Sequence, residues 1–379
     1  MSEISIIVTI SLIIFSSPFL AKLTKLPTSV LEIILGTLAA AYGLLHHSAL
    51  FELVAEFGFL YLMFLAGLEV DLKKIIAIDK TLLKRGLLYI ALLYLFSFAI
   101  VKYMGYDDVY IAIFPLISVG LIAALRKEYG KNLRWLNLSL EIGILGEVVS
   151  IAILTILSAG LEYGFGVEFY KNILILVVFI FLILAIFKLL DVLFWWYPEL
   201  KTTLMPKIDN EEQDIRLSMA LLFLFIALMV YLGLEVAFGA FIAGIFIATF
   251  FEHKKSLPHK LSSFGFGFLV PIFFIYTGSS FKIQALLIEG MIATAFMITF
   301  IMIFIRIMAS IAFYAILNAK ERLLFALSHS MPLTLLVAIA TIAHHTKVID
   351  DFEYMAFILA SILEVLVVMV SIKLLAKDG

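Results

Sequence analysis

Long apolar stretches follow one another along almost the whole chain, and only short polar clusters separate them. Each stretch runs for about 18–25 residues, the length of a helix that crosses a hydrocarbon core about 30 Å thick. Within lipid, backbone polar groups must be hydrogen-bonded inside the protein, which leaves helical bundles or closed barrels. The stretches are continuously apolar and do not alternate as barrel strands do, so they predict helices.

The composition leads to the same fold class. The chain is 64% hydrophobic and 15% charged, whereas soluble domains carry about 25% charged residues. We therefore predict an all-α polytopic membrane protein whose principal partner is the lipid bilayer. The chain has no cysteine, which excludes disulfides and thiolate sites. No enzyme activity, cofactor or nucleic-acid partner is predicted.

Polar clusters divide the chain into thirteen predicted spans, and the weakest division lies between Gly233 and Glu235. Most of the 27 basic residues fall in alternate loops, which the positive-inside rule assigns to the cytoplasm. The N-terminus is then outside and the C-terminus cytoplasmic, in a bacterial-type inner membrane. The spans cover residues 4–20, 28–46, 52–71, 85–103, 108–126, 135–160, 171–195, 215–232, 234–251, 262–279, 287–316, 322–343 and 351–375.

Two weak internal similarities indicate a repeat. "LEIILGTL" resembles "GAFIAGIF" and aligns Gly36 with Gly244; "MFLAGLEVDL" resembles "FIYTGSSFKI" and aligns Gly67 with Gly278. Both shifts equal seven spans, which reverses the topology, and inverted repeats are typical of transporters. We therefore predict one transmembrane domain over 1–379 with no soluble regulatory domain. Its parts are a first six-helix repeat at 1–160, a linker helix at 171–195 and a second repeat at 215–375.

The repeat pairs the fifth span with the twelfth, and both contain residues that weaken a helix. Pro115 precedes "ISVGL" in the fifth, and Pro332 follows His329 in "SHSMPLT" in the twelfth. Proline removes a backbone donor, and broken helices expose polar groups near the bilayer midplane in such transporters. Two ordinary kinked helices are the alternative, because proline is common in membrane spans. His329 is a candidate polar group beside the second break.

Glu147 lies near the middle of the sixth span, in "EIGILGEVVSIAIL". A charged residue at that depth costs about 2.5–3.5 kcal/mol on insertion scales, and such residues mark ion pathways by default. Ser150 follows one helical turn later on the same face. We therefore predict that Glu147 and Ser150 hold a dehydrated monovalent cation. A structural glutamate, neutral or paired, is the alternative.

Arg306 lies deep within the eleventh span. An arginine stays charged, so at that depth it requires a counter-charge or a set of carbonyls. Glu141 and Glu364 are the candidate partners, and the sequence does not choose between them. Glu141 is six residues before Glu147 and does not share its helix face, so it could instead line a cytoplasmic funnel. Glu364 lies near the middle of the thirteenth span.

Several segments resemble the monovalent cation:proton antiporter superfamily, in the right order along nearly the whole chain. They are "KLTKLPTSVLEIILGTLAA", "GFLYLMFLAGLEVDLKK", "LEVAFGAFIAGIFIATF" and "LVPIFFIYTGSSFKI". The resemblance implies the thirteen-span inverted-repeat fold of Na⁺/H⁺ antiporters, with two broken helices. It also implies a homodimer in which a six-helix core domain moves against a dimerisation domain.

The sixth span departs from the family pattern. Where the family carries Asp-Asp, Asn-Asp or Gln-Asp, this chain has Gly146-Glu147. The family's polar residues in the fifth-span break are represented by Ser118 and Gly120, which the resemblance makes candidate cation ligands. Arg306 matches the basic residue that the family often has near the break.

These observations predict a secondary antiporter for pH homeostasis. Protons and Na⁺ (or K⁺) compete for Glu147, and one carboxylate exchanging one proton for one cation makes the exchange electroneutral. Two alternatives stay open. A proton-sensitive channel or facilitator would conduct without obligatory counter-flux, and an organic-anion transporter would require hydrogen-bond donors at the midplane instead of a carboxylate.

Overall fold

The computed structural model describes residues 3–70, 79–130, 132–163, 166–206, 211–251, 254 and 256–376. These residues form helices and turns, with no strand among them. A π-helical stretch, Gly265–Leu269, joins α12 to α13. The helices are α1 Glu3–Thr24, α2 Thr28–Ala41, α3 Ala49–Leu68, α4 Lys80–Met104, α5 Val109–Ile113, α6 Gly120–Tyr129, α7 Arg134–Tyr163, α8 Val167–Trp196, α9 Pro198–Leu204, α10 Gln213–Leu232, α11 Val236–Phe250, α12 Leu257–Phe264, α13 Val270–Ser280, α14 Met291–Ala309, α15 Ala319–His329, α16 Leu333–His345 and α17 Asp351–Ala376.

Nine helices within the described ranges are long and apolar enough to cross a membrane. Shorter apolar helices and half-helices correspond to the other predicted spans. The weakest predicted division is also present. There α10 ends at Leu232, and Gly233 adopts a left-handed conformation with φ 65° that few residues other than glycine tolerate. The prediction of an all-α polytopic membrane protein is confirmed.

The helices group into two compact units, each made of two stretches of the chain. Unit 1 comprises Met1–Ile76 and Glu162–Ser280, and unit 2 comprises Ala77–Leu161 and Phe281–Gly379. Each predicted repeat therefore contributes its first half to unit 1 and its second half to unit 2. The division into repeats itself stays a prediction.

Four glycines allow close contacts between helices of unit 1. A Cβ on Gly36 or Gly278 would meet backbone atoms of the facing helix in the α2–α13 pair. Gly67 and Gly244 do the same in the α3–α11 pair. The predicted repeat exchanges α2 with α11 and α3 with α13, so it would convert one pair of contacts into the other.

We expect Gly244→Ala to destabilise unit 1, because its Cβ would meet the carbonyl oxygen of Phe64 and the amide nitrogen of Leu68. Backbone atoms move less readily than side-chain ends, and overpacking typically costs about 1–3 kcal/mol. Thermal unfolding of the purified protein in detergent measures the effect. Gly267→Ala is the matched control, since a Cβ there has nothing within 4 Å. Equal melting temperatures for the two variants would contradict the close-contact argument.

Candidate ion-binding site

Two spans in unit 2 are interrupted where Pro115 and Pro332 predicted it. The first interruption separates α5 from α6 at residues 114–119, and the second separates α15 from α16 at residues 330–332. Both segments are buried. Helix ends leave backbone donors and carbonyls without partners inside the helix, so each interruption requires partners from neighbouring elements.

The Glu147 carboxylate is one of those neighbours. It projects from α7 with 2% of the residue exposed, and its Oε1 accepts a hydrogen bond of 3.2 Å from the Ser118 hydroxyl. Ser118 belongs to the first interruption. The structure therefore brings together a buried carboxylate and a hydroxyl, both oxygen ligands of the kind that hard cations such as Na⁺ bind.

Ser150 supports the same interruption in a way the sequence did not predict. It is buried one turn after Glu147, and its Oγ accepts the backbone N–H of Ile117 at 3.1 Å. A hydroxyl oxygen has two lone pairs, so this bond leaves one for a cation, and a role for Ser150 as a ligand stays a prediction. Gly120 is the exposed first residue of α6, and its predicted role as a ligand is likewise untested.

Gly146 explains why the neighbour of Glu147 has no side chain. A Cβ at this position would meet Ile117 at Cδ1, Cβ and Cγ2. Because Ile117 immediately precedes Ser118, the absence of a side chain on α7 lets the interrupted segment lie close enough for Ser118 to reach Glu147.

Arg306 connects the two interruptions. It is fully buried in the last turn of α14, and its guanidinium donates hydrogen bonds to three carbonyls. Nε bonds the His329 carbonyl at 2.9 Å, at the end of α15, and Nη1 bonds the carbonyl of Met302 at 2.5 Å. Nη2 bonds the carbonyl of Leu116 in the first interruption. The carbonyl set that a buried arginine requires is therefore present.

Glu364 is the carboxylate beside Arg306. Its Oε1 lies 3.8 Å from Nη1 of Arg306, and the residue is 1% exposed in α17. Neither carboxyl oxygen has a hydrogen-bond partner. Glu141, the other candidate for this role, is exposed on α7. The choice that the sequence left open falls to Glu364.

His329 packs as a buried structural residue. Its Nε2 lies 2.9 Å from the Ser139 carbonyl, and its Nδ1 lies 3.2 Å from the Tyr89 hydroxyl. Since a carbonyl only accepts, we assign the proton to Nε2, and Nδ1 then accepts from Tyr89. Both ring nitrogens are engaged, so the geometry favours holding the end of α15 over the predicted polar-pathway role. Ser139 and Tyr89 carry no sequence signal, because a serine or a tyrosine within an apolar span is ordinary.

Among the residues that the structure describes, no group of three or more histidines or carboxylates could hold a metal ion. The site is thus one carboxylate with hydroxyl neighbours, suited to a weakly held monovalent ion. A cation would be transported cargo here, with Glu147 and Ser118 as its nearest side-chain oxygens.

Comparisons with known proteins agree with this arrangement. A family profile described as "Sodium/hydrogen exchanger, transmembrane" matches residues 7–378. The probable Na⁺/H⁺ antiporter 3 of Methanocaldococcus jannaschii is 28% identical over 287 residues, covering 72% of this chain and 70% of that protein. The ammonium/H⁺ antiporter subunit AmhT of Alkalihalophilus pseudofirmus is 28% identical over 280 residues, covering 72% and 68%. The solved sodium proton antiporter MjNhaP1 from Methanocaldococcus jannaschii has a similar fold, with a TM-score of 0.65 at 15% identity over 98% of this chain and 99% of that one.

Proposed function

Because the chain belongs to the sodium/hydrogen exchanger family and is therefore a cation/proton antiporter, we propose that Na⁺ or K⁺ competes with protons for Glu147. The observation that carries this proposal is the buried Glu147 carboxylate, which accepts a hydrogen bond from Ser118 in an interrupted helix. A proton or a cation can neutralise that carboxylate in the same place.

Competition at one carboxylate explains how the two fluxes are coupled. An ionised Glu147 is expensive to carry through an apolar barrier, whereas Glu147 with a proton or a monovalent cation has no net charge. Only the loaded carrier then changes its access from one side of the membrane to the other. One cation moves in exchange for one proton, and the exchange is electroneutral.

The cation is either Na⁺ or K⁺. Carboxylate and hydroxyl oxygens are hard ligands that suit both. The similar proteins differ in their named cargo, since one is a probable Na⁺/H⁺ antiporter and another is a subunit of an ammonium/H⁺ antiporter. Ammonium therefore joins Na⁺, K⁺ and Li⁺ as a cation to be tested.

The remaining features of the proposal follow the sequence argument. The protein works as a homodimer in a bacterial-type cytoplasmic membrane, with its N-terminus outside and its C-terminus in the cytoplasm, and it contributes to pH homeostasis. The sequence alternatives of a channel and an organic-anion transporter find no support among the relatives.

Cation-driven proton flux in proteoliposomes tests the proposal. Purified protein is reconstituted with a pH-sensitive dye inside, and Na⁺, K⁺, Li⁺ or NH₄⁺ is added outside at several pH values. We expect saturable alkalinisation or acidification with at least one of Na⁺ and K⁺, and no net current. Cation entry without proton counter-flux would instead identify a channel.

We expect Ser118→Ala to weaken cation binding without abolishing exchange. The variant removes a hydroxyl from a charged partner, and such hydrogen bonds contribute about 1.5–3 kcal/mol, equivalent to a tenfold or greater rise in the cation concentration for half-maximal flux. Ser118→Thr is the matched control, because it keeps the hydroxyl. If the two variants had the same half-maximal concentration, Ser118 would not be part of the binding site.

A further inference from the structure

Glu364 and Glu147 occupy equivalent positions in the two halves of unit 2. Glu364 lies 217 residues after Glu147, and Pro332 lies 217 residues after Pro115. The helices that carry the two carboxylates begin at Arg134 and Asp351, which have the same separation. Three landmarks thus share one spacing, so the second half of the predicted repeat places a second glutamate where the first half has Glu147.

The surroundings of the two glutamates differ in one respect. Glu147 has the Ser118 hydroxyl within hydrogen-bond distance and Ser150 one turn away. The same spacing places Leu335 and Val367 at the corresponding positions around Glu364, and neither has an oxygen on its side chain.

A positive charge stands beside Glu364 instead. The Arg306 guanidinium lies 3.8 Å from its Oε1, and Glu364 is buried without a hydrogen-bond partner for either oxygen. A guanidinium cannot be deprotonated in a protein, and three backbone carbonyls hold this one in place.

We propose that Glu364 is a second cation site whose cation is permanent, namely the tethered guanidinium of Arg306. This inference rests on the proposed antiport at Glu147 and assigns the coupling of that exchange to the Arg306–Glu364 pair. Because the pair is neutral as a whole, the charge of the site equals the charge at Glu147. The empty carrier is negative and the loaded carrier is neutral.

The proposal makes the two members of the pair unequal. In Glu364→Gln, Arg306 would balance an ionised Glu147, so the empty carrier would become neutral and could cross without cargo. In Arg306→Met, Glu364 adds a negative charge, and the empty carrier is even less able to cross. Removing both charges restores the original balance. A pair that only holds helices together would give no such difference in sign.

The experiment compares the intact protein with Glu364→Gln, Arg306→Met and the double variant, all retaining Glu147. Proteoliposomes report cation uptake with labelled Na⁺ or K⁺ and proton flux with an internal pH dye. We expect near-equal fluxes in the intact protein and the double variant. Glu364→Gln should show cation uptake several-fold above proton efflux, and Arg306→Met should be slow but equally coupled.

Leak through Arg306→Met, tight coupling in Glu364→Gln, or leak in the double variant would each overturn the proposal. If Glu364→Gln does not fold, Arg306→Met and the double variant still decide the matter, because leak in either contradicts it. Failure of the proposed function has a different signature, since the intact protein would then show no cation-driven proton flux at all.

Discussion

Glu147→Gln is expected to reduce cation-driven proton flux to the background of empty liposomes. Glutamine nearly matches the shape of glutamate and can still accept from Ser118, so the fold and the interruption should be retained. It cannot bind a proton reversibly or supply a negative charge to a cation, and both cargoes lose their binding group together. Proteoliposome flux with saturating Na⁺ or K⁺ measures the loss, and the melting temperature verifies the fold.

Two variants separate the charge of Glu147 from its packing. Glu147→Asp keeps a carboxylate one methylene shorter and should retain measurable exchange, with a changed half-maximal cation concentration. Glu52→Gln makes the same chemical change at an exposed glutamate at the start of α3 and should resemble the unaltered protein. Normal exchange in Glu147→Gln would exclude Glu147 as the shared site.

Gly146→Asn is expected to damage the site, although it recreates part of the paired motif of the resembled family. The new Cβ would meet the Cδ1, Cβ and Cγ2 atoms of Ile117, and inserting a side chain into a packed contact costs about 1–3 kcal/mol. Displacing Ile117 also moves Ser118 away from Glu147. We expect a lower melting temperature together with a large loss of exchange.

The glycine at position 120 provides the control for this substitution. A Cβ on Gly120 has nothing within 4 Å, and alanine is the better helix former, so Gly120→Ala should leave the melting temperature unchanged or slightly higher. Adding Ile117→Ala to Gly146→Asn should recover part of the lost stability, because two of the three contacts disappear. A fully active and stable Gly146→Asn variant would show that Ile117 moves aside freely.

The fold could be predicted from local features, whereas the wiring of the site could not. Apolar runs of membrane-spanning length and the two prolines identify the helices and their interruptions without any knowledge of contacts. The depth of Glu147 is likewise a property of its position in one span. The partner of Arg306 depends on how α14 packs against α17, and Glu141 and Glu364 were equal candidates until that packing was known. The hydrogen bonds from Ser118 to Glu147 and from Ile117 to Ser150 also arise only when distant segments meet.

The hydrogen bond from Arg306 to the carbonyl of Leu116 joins residues 190 positions apart. Synthesis proceeds from the N-terminus, so α5 and α6 enter the membrane before the arginine has been translated. During that interval the Leu116 carbonyl requires another donor, such as water or the insertion machinery, because lipid offers none. The early half of the protein thus waits in the membrane as an unfinished structure. A ribosome stalled before residue 306 would leave a chain in which the first interruption lacks this partner.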